Sequence, residues 1–242
     1  MSDRETVLLE QAFVLHQRPY RNTSQLLECL TPGHGRVGLV ARGSRRSPRG
    51  QRALLQPFVP LSLSWSRRGE LGRLTHVEAR GSAFELTAQR LLAGYYVNEL
   101  LLRLLARGDP NEALFSCYSD CLSSLNASSS VARALRLFEL RLLRALGYGL
   151  ELDCDIESGE PLQPEGRYLY DVERGPRSAG ERVAEEQAYT GRELIALRCE
   201  TLDDEESLRA ARRLLGRVLQ EYLGEQPLKS RAVLKDIVTR GL

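Results

Sequence analysis

The sequence contains a run of arginines with no acidic residue among them. Between positions 36 and 52 there are six arginines, and most of them alternate with glycine, serine and proline. Such small and polar neighbours cannot build a core, so the guanidinium groups stay solvated and uncompensated. Guanidinium groups in this state neutralise phosphates, which predicts a contact with a nucleic-acid backbone. The candidate DNA-binding residues of this run are Arg36, Arg42, Arg45, Arg46, Arg49 and Arg52.

A second, smaller basic site lies near the carboxy terminus. Lys229 and Arg231 follow Pro227 close to a predicted helix start, with few acidic residues nearby. This segment fits a DNA contact and a plain surface equally well.

The charge of the whole chain is uneven. Residues 1–82 carry 13 arginines and 6 acidic residues, a net charge of +7, whereas residues 83–242 have a net charge of −5. This asymmetry predicts a polyanionic partner for the first part and a different partner for the second.

The residues that most enzymes need are sparse. The three histidines (His16, His34 and His76) are far apart, and the sequence has no HExxH, paired CxxC, P-loop or GxGxxG motif. The acidic cluster DDEESLRAARR is better explained as a helix start, because carboxylates favour the first turn of a helix. Cys117 and Cys121 share one helix face and are expected in the core. An enzyme is therefore not predicted, and neither is a cofactor or a metal.

The arginine run must be held by a scaffold of short strands. Five segments up to about residue 82 show partial alternation of apolar and polar residues: 11–20, 24–32, 35–43, 53–66 and 69–79. Five short strands without an intervening helix predict a small barrel such as an OB-fold, and an SH3-like barrel would satisfy the same pattern. Phe13, Tyr20, Phe58 and Trp65 are possible base-stacking residues, each more typical of a core.

From residue 83 onward the apolar period becomes helical, which predicts a second, all-helical domain over 83–242. Residues 151–186 interrupt it with 11 acidic residues, 4 arginines and many glycines and prolines. We expect a loop-rich acidic insertion there, with one hairpin around GRYLYDV. The fold class is α+β, with domains 1–82 and 83–242.

The compartment follows from composition. The apolar runs are too short for a membrane span, and the amino terminus lacks a secretory signal. Five cysteines without paired spacing fit reduced thiols. We expect a cytoplasmic protein without membrane contact.

Several motifs together resemble a known family. QAFVLHQRPYRNTSQLLECLTPGHGRVGLVARGSRR, LQPFVPL, GYYVNELLLRLL, LRLFELRLLRALGYG and YLGEQPLKSR are similar to the bacterial recombination mediator RecO family, in register to about Arg231. The resemblance implies an amino-terminal OB-fold and a helical carboxy-terminal domain. It also implies a non-enzymatic role: the protein would bind single- and double-stranded DNA and anneal strands coated by the single-stranded-DNA-binding protein SSB. RecR would be a partner in loading RecA, and the protein would be nucleoid-associated.

One departure from the family pattern concerns zinc. Many members carry a four-cysteine zinc module after the LGYG motif, whereas LDCDIESGEP keeps only Cys154. The chain resembles the zinc-less branch, with a remnant of that module in residues 151–186.

The helix VARALRLFELRLLRALGYG carries a second hypothesis. Its main apolar face turns inward, and Leu137 and Leu140 fall on the opposite side among arginines. That second face either packs on another helix or binds a ligand. The family binds the SSB tail, which is acidic and ends in an apolar residue with a free carboxylate, and the resemblance favours a site for it here. The predicted tail-binding residues are Arg133, Arg136, Leu140 and Arg144.

Two other functions remain open at this level. A nuclease or other phosphodiester enzyme would also bind DNA, although the missing carboxylate and histidine clusters argue against it. An RNA-binding, ribosome-associated barrel would show the same basic run.

Overall fold

The structure, a computed structural model, describes residues 5–45, 51–127, 130–180, 183–184 and 187–230. The amino-terminal strands are β1 (Glu5–Tyr20), β2 (Ser24–Thr31), β3 (Gly35–Ala41), β4 (Leu61–Arg67) and β5 (Leu71–Ala79). They form a closed barrel in the order β1-β2-β3-β5-β4, and β4 pairs back with β1. The β3–β5 pair is parallel, and the other neighbours in the barrel are antiparallel.

The barrel encloses its own apolar core. Inward positions on successive strands are filled by large residues such as Leu27, Leu39, Leu63 and Trp65, each at most 1% exposed. A short helix, α1 (Gln51–Leu54), lies between β3 and β4. The sequence pattern predicted no helix there and began the fourth strand at residue 53. The apolar residues after α1 resemble strand residues, but they pack against the barrel core from a segment outside the strands.

Helices dominate the rest of the chain. They are α2 (Ala88–Leu104), α3 (Glu112–Asn126), α4 (Val131–Ala145), α5 (Gly191–Arg198) and α6 (Glu205–Leu223). The predicted α+β class, with a five-stranded sheet first and a helical region after it, is confirmed. None of the described helices is both long and apolar enough to cross a membrane.

The helix ends follow their local sequence. Ser130 caps α4 by accepting a hydrogen bond from the Arg133 N–H at 3.3 Å, and Gly147 follows α4 in a left-handed conformation. Asp204 caps α6 by accepting from the Ser207 N–H at 2.8 Å. The acidic cluster before α6 is therefore a helix start, as predicted.

The chain divides into two compact units. One contains residues 1–128 and 228–242, and the other contains residues 129–227. Whereas the sequence pattern placed a division at residue 82, where strands give way to helices, the contacts group α2 and α3 with the barrel. We call these units the barrel unit and the helical unit.

A buried polar link joins α2 to its neighbours in the barrel unit. Asn98, on α2, donates to the Leu15 carbonyl oxygen of β1 at 2.9 Å and accepts from the Tyr118 hydroxyl of α3 at 2.7 Å. Burial raises the pKa of Tyr118, so its hydroxyl remains a donor. Cys117 and Cys121 lie in the core of the same region, as predicted.

The helical unit contains the predicted hairpin. Strands β6 (Arg167–Asp171) and β7 (Gly175–Ser178) pair antiparallel, and β8 (Tyr189–Thr190) pairs with the other edge of β6. The Asp155 carboxylate holds the preceding turn by accepting from the Ser178 hydroxyl and from the N–H groups of Glu157 and Ser158. These hydrogen bonds lower the pKa of Asp155. In the described residues, no three His, Cys, Asp or Glu side chains cluster as a metal site would require.

Candidate nucleic-acid interface

One end of the barrel brings two arginine-bearing turns together. The turn between β1 and β2 contacts the segment after β3, because the Arg45 N–H donates to the Thr23 carbonyl oxygen at 3.1 Å. The Arg45 guanidinium also reaches the Asn22 carbonyl oxygen at 3.4 Å. Buried Ser44 fixes the segment by donating to the Ala41 carbonyl oxygen at 3.0 Å.

These turns expose three arginines at the same end of the barrel: Arg21, Arg42 and Arg45. Gly43, between two of them, has a φ of +69°, a left-handed conformation that glycine adopts without strain. We call Arg21, Arg42, Arg45 and the neighbouring Tyr20 the barrel-end patch.

Tyr20 gives this patch an aromatic surface. It is half-buried, and the guanidinium of Arg21 lies 5.4 Å from the centre of its ring. The other aromatic residues considered for base stacking, Phe13, Phe58 and Trp65, are at most 5% exposed and belong to the core. Tyr20 is thus the accessible one of the four.

Arg52 is exposed on α1, which a chain of glutamines connects to the barrel. Gln25 donates to Gln17 at 2.5 Å, Gln17 donates to Gln56 at 2.7 Å, and Gln56 donates to the Arg52 carbonyl oxygen at 2.8 Å. This chain fixes the place of Arg52 relative to β1 and β2. Arg46 and Arg49 lie outside the described residues.

Arg36 differs from the other arginines of the run. It lies near the start of β3, roughly 20 Å along the strand from Arg42, at about 3.3 Å a residue. Its guanidinium lies 3.5 Å from the Glu28 carboxylate and donates to the Leu102 carbonyl oxygen of α2. Arg107 binds the same carboxylate, and burial lowers the pKa of Arg36. Arg36 therefore fastens the barrel to α2, away from the barrel-end patch.

The carboxy-terminal basic site is organised around Glu99 of α2. The Glu99 carboxylate accepts from the N–H groups of Lys229 and Ser230, both at 2.9 Å, and from the Ser230 hydroxyl at 2.6 Å. Burial alone would raise the pKa of Glu99, but these hydrogen bonds outweigh it and lower the pKa. The side chain of Lys229 is exposed, and Arg231 lies outside the described residues.

The predicted outer face of α4 is not a surface. Leu140 is 2% exposed, and the buried Arg136 guanidinium pairs with the fully buried Glu139 carboxylate at 2.6 Å. The expectation of an exposed apolar face ringed by arginines is wrong because α4 is central and packs against α6. The alternative that its second face packs on another helix describes the structure better.

The other two arginines of that hypothesis stay at the surface with acidic partners. Arg133 pairs with Asp203 at 3.2 Å, and Arg144 lies 3.4 Å from Glu200. Their side chains are 42% and 60% exposed. A long-range attraction for an anion is still compatible with these positions.

Sequence reasoning singled out neither Arg21 nor Glu139. Arg21 is a lone arginine in a turn, and only the contact between residues 23 and 45 brings it to the others. Glu139 sits three residues after Arg136 on a helix, a spacing that could have predicted the ion pair but not its burial.

Comparison with known proteins covers nearly the whole chain. The model of the recombination protein O amino-terminal domain matches residues 6–83, and that of its carboxy-terminal domain matches residues 86–232. DNA repair protein RecO of Methylococcus capsulatus is 46% identical over 233 residues, which cover 96% of this chain and 95% of the relative. That of Nitrosococcus oceani is 47% identical over 231 residues, covering 96% and 94%. That of Aromatoleum aromaticum is 42% identical over 238 residues, covering 98% and 99%.

Both halves of the chain therefore match one family in the same order, and the relatives match end to end. The chain belongs to the recombination protein O family.

Proposed function

We propose that the chain is a non-enzymatic DNA-binding mediator of recombinational DNA repair. It binds single- and double-stranded DNA and anneals complementary strands coated by SSB, and with RecR it assists the loading of RecA. The names of the relatives, DNA repair protein RecO, support the repair role. The family resemblance supports the partners and a cytoplasmic, nucleoid-associated location.

The barrel-end patch is the observation that carries the DNA-binding part of the proposal. A closed five-stranded barrel in the order β1-β2-β3-β5-β4 supports the OB class, in which the loop between the first two strands and that between the last two contact oligonucleotides. Arg21 lies in the first of these loops and exposed Arg68 in the second. Sequence reasoning did not select Arg68.

The surrounding charge favours a polyanion at this surface. The sequence has no acidic residue between Glu10 and Glu28 or between Glu28 and Glu70. The chain segments that contain the patch arginines therefore have no carboxylate to offset them, and their positive charges add together. We propose that they neutralise phosphates of two strands, which lowers the repulsion between the strands and lets pairing begin. Arg46, Arg49 and Arg52 would add further phosphate contacts in this proposal, and Arg36 contributes by holding the barrel on α2.

The helical unit supplies the partner site in this proposal. The SSB tail would be attracted by Arg133 and Arg144, whose side chains are exposed. In the barrel unit, Lys229 and Arg231 would add a second, weaker DNA contact. Arg136 and Leu140 are left out of the tail site, because Arg136 is paired with Glu139 in the core and Leu140 is buried.

The test compares the triple variant R21Q/R42Q/R45Q with R192Q/R209Q/R212Q, which removes the same charge from exposed arginines of the helical unit. The barrel variant should bind both DNA forms more weakly and anneal more slowly. For each phosphate that the variant no longer neutralises, its log–log salt slope should fall by about 0.7 with single strands and by about 0.9 with duplex. The control should keep most of the affinity.

If both triple variants bind DNA alike at low and high salt, the barrel-end patch is not the DNA site. Incubation of labelled DNA with Mg²⁺ or Mn²⁺ separates the mediator from a nuclease, because a nuclease would shorten the strands. Competition by RNA would reveal a ribosome-associated role if RNA displaced single-stranded DNA efficiently.

A further inference from the structure

The helical unit contains a pocket that the proposed function does not use. It lies between the β6–β7 hairpin, the segment that leads into β8, and α6, and its volume is about 460 Å³. Its lining includes three arginines, Arg177, Arg213 and Arg217, and the aromatic residues Tyr170 and Tyr189. Pockets of this size hold small-molecule ligands or a single residue of a larger one.

Arg213 is held in place over the ring of Tyr189, and both residues line the pocket. The guanidinium lies 4.1 Å from the centre of the Tyr189 ring and donates to the Ala188 carbonyl oxygen at 2.5 Å. Its Nε is buried and has no hydrogen-bond partner in the described residues. A planar guanidinium that is fixed on one side by an aromatic ring can stack a second planar group on its other side.

The two remaining arginines are more exposed and can reach an anion. Arg217 is one helical turn after Arg213 on α6, and it donates to the Tyr170 carbonyl oxygen at a long 3.4 Å. Arg177 projects from the hairpin, with its side chain 48% exposed and 3.9 Å from Glu157. These weak contacts leave most guanidinium donors available for a ligand.

The charge of the unit limits how much of a polyanion the pocket can accept. Residues 129–227 carry 14 arginines and 20 acidic residues, a net charge of −6. The pocket is thus a positive site within a negative unit, which favours a small anionic ligand over a long polyanion.

The polar residues of the lining favour a nucleotide over an acidic peptide. Asp171 and Gln187 line the same pocket. Oδ1 of Asp171 already accepts from the N–H groups of Glu173 and Arg174, so its other oxygen is the acceptor for an N–H donor of a base. The side chains of an acidic peptide would instead bring several carboxylates close to Asp171.

We propose that this pocket binds one nucleotide of a single DNA strand. Its base stacks on the guanidinium of Arg213, and its phosphate binds Arg177 and Arg217. The inference rests on the proposed function, since it gives the helical unit a DNA contact of its own.

The test uses ultraviolet cross-linking of a thymine-rich oligonucleotide that carries 5-iododeoxyuridine, followed by mass-spectrometric mapping. Full-length protein should give cross-links to the peptides around Tyr170, Tyr189 and Arg213, in addition to any on the barrel. R177Q/R217Q should lower the pocket cross-links by about tenfold or more, because each arginine makes charge-assisted hydrogen bonds to phosphate. The control R212Q, an exposed change on the same helix, should leave them unchanged.

The outcomes separate this inference from the proposed function. Barrel cross-links without pocket cross-links overturn the inference and leave the proposed function standing, whereas no cross-links anywhere overturn both. A competition experiment on the unaltered protein does not depend on the folding of a variant. In it, added dTMP should reduce the pocket cross-links more than added inorganic phosphate does. If an Asp-rich peptide removes them and dTMP does not, the pocket is a peptide site and the inference is wrong.

Discussion

The guanidinium of Arg136 donates to the carboxylate of Glu139 at 2.6 Å inside the helical unit, with the two side chains 8% and 0% exposed. A buried ion pair contributes little net stability, but removal of one partner leaves the other charge without compensation. A variant that changes only Arg136 or only Glu139 is therefore expected to lose stability, whatever it does to binding.

We expect Glu139→Ala to lower the free energy of unfolding by about 3–5 kcal/mol, measured by urea denaturation. Glu205→Ala is the matched control, because its partner Arg209 is exposed and 3.8 Å away. This control should lower the free energy of unfolding by less than about 1 kcal/mol. The double variant R136M/E139L should recover much of the loss, because apolar residues of similar size remove both charges. Equal losses for Glu139→Ala and Glu205→Ala would show that the pair is not buried in solution.

The Asn98–Tyr118 link gives a second expectation about stability. Tyr118→Phe keeps the ring but removes the hydroxyl that donates to Asn98, which leaves a buried oxygen short of a donor. The expected loss is about 1–3 kcal/mol. Tyr222→Phe, on an exposed tyrosine that stacks on Tyr148 at 3.9 Å, should be nearly neutral in the same denaturation experiment. A neutral Tyr118→Phe would contradict the link.

Local signals in the sequence predicted much of the fold. Ser130 and Gly147 mark the ends of α4, and the short alternating segments became the strands of the barrel. Such features depend on neighbours a few residues away, so a sequence pattern contains them.

The misplaced features depend on contacts between distant residues. A helical projection shows that α4 has a second apolar side, but it cannot show that α6 packs against the helix. Arg36 and Arg42 are close in the sequence, yet β3 separates them, and Glu28 from the neighbouring strand pairs with Arg36 and not with Arg42. Arg21 joins the barrel-end patch through the Arg45–Thr23 hydrogen bond, which no local pattern predicts.

Glu99 predicts a pH dependence of stability. Its pKa is lower in the folded protein than the ordinary value of 4.5, because Ser230 and Lys229 donate hydrogen bonds to the ionised form. The stabilisation is therefore complete above about pH 4.5 and is lost as the pH falls through the lower, folded-state pKa.

Glu99→Gln should lower the urea midpoint at neutral pH, and its difference from the unaltered protein should shrink as the pH falls below about 4.5. Glu85→Gln, an exposed change just before α2, is the control and should follow the unaltered protein. A difference for Glu99→Gln that stays constant from neutral to acidic pH would mean that the ionised carboxylate does not hold residues 229 and 230.

Tyr20 predicts a difference between single- and double-stranded DNA. Its ring is the accessible aromatic surface of the barrel-end patch, and a base can stack on it only when that base is not already paired and stacked in a duplex. Tyr20→Ala should therefore weaken binding of single-stranded DNA by about 5- to 150-fold, which corresponds to about 1–3 kcal/mol for one stacked base, and should change duplex binding much less. Fluorescence anisotropy with labelled oligonucleotides measures both. Tyr20→Phe keeps the ring and the contact with Arg21, so it should retain most of the affinity, and Tyr148→Ala, on an exposed tyrosine of the helical unit, should retain it as well. If Tyr20→Ala weakens single-strand and duplex binding equally, the ring supports Arg21 and does not stack on a base.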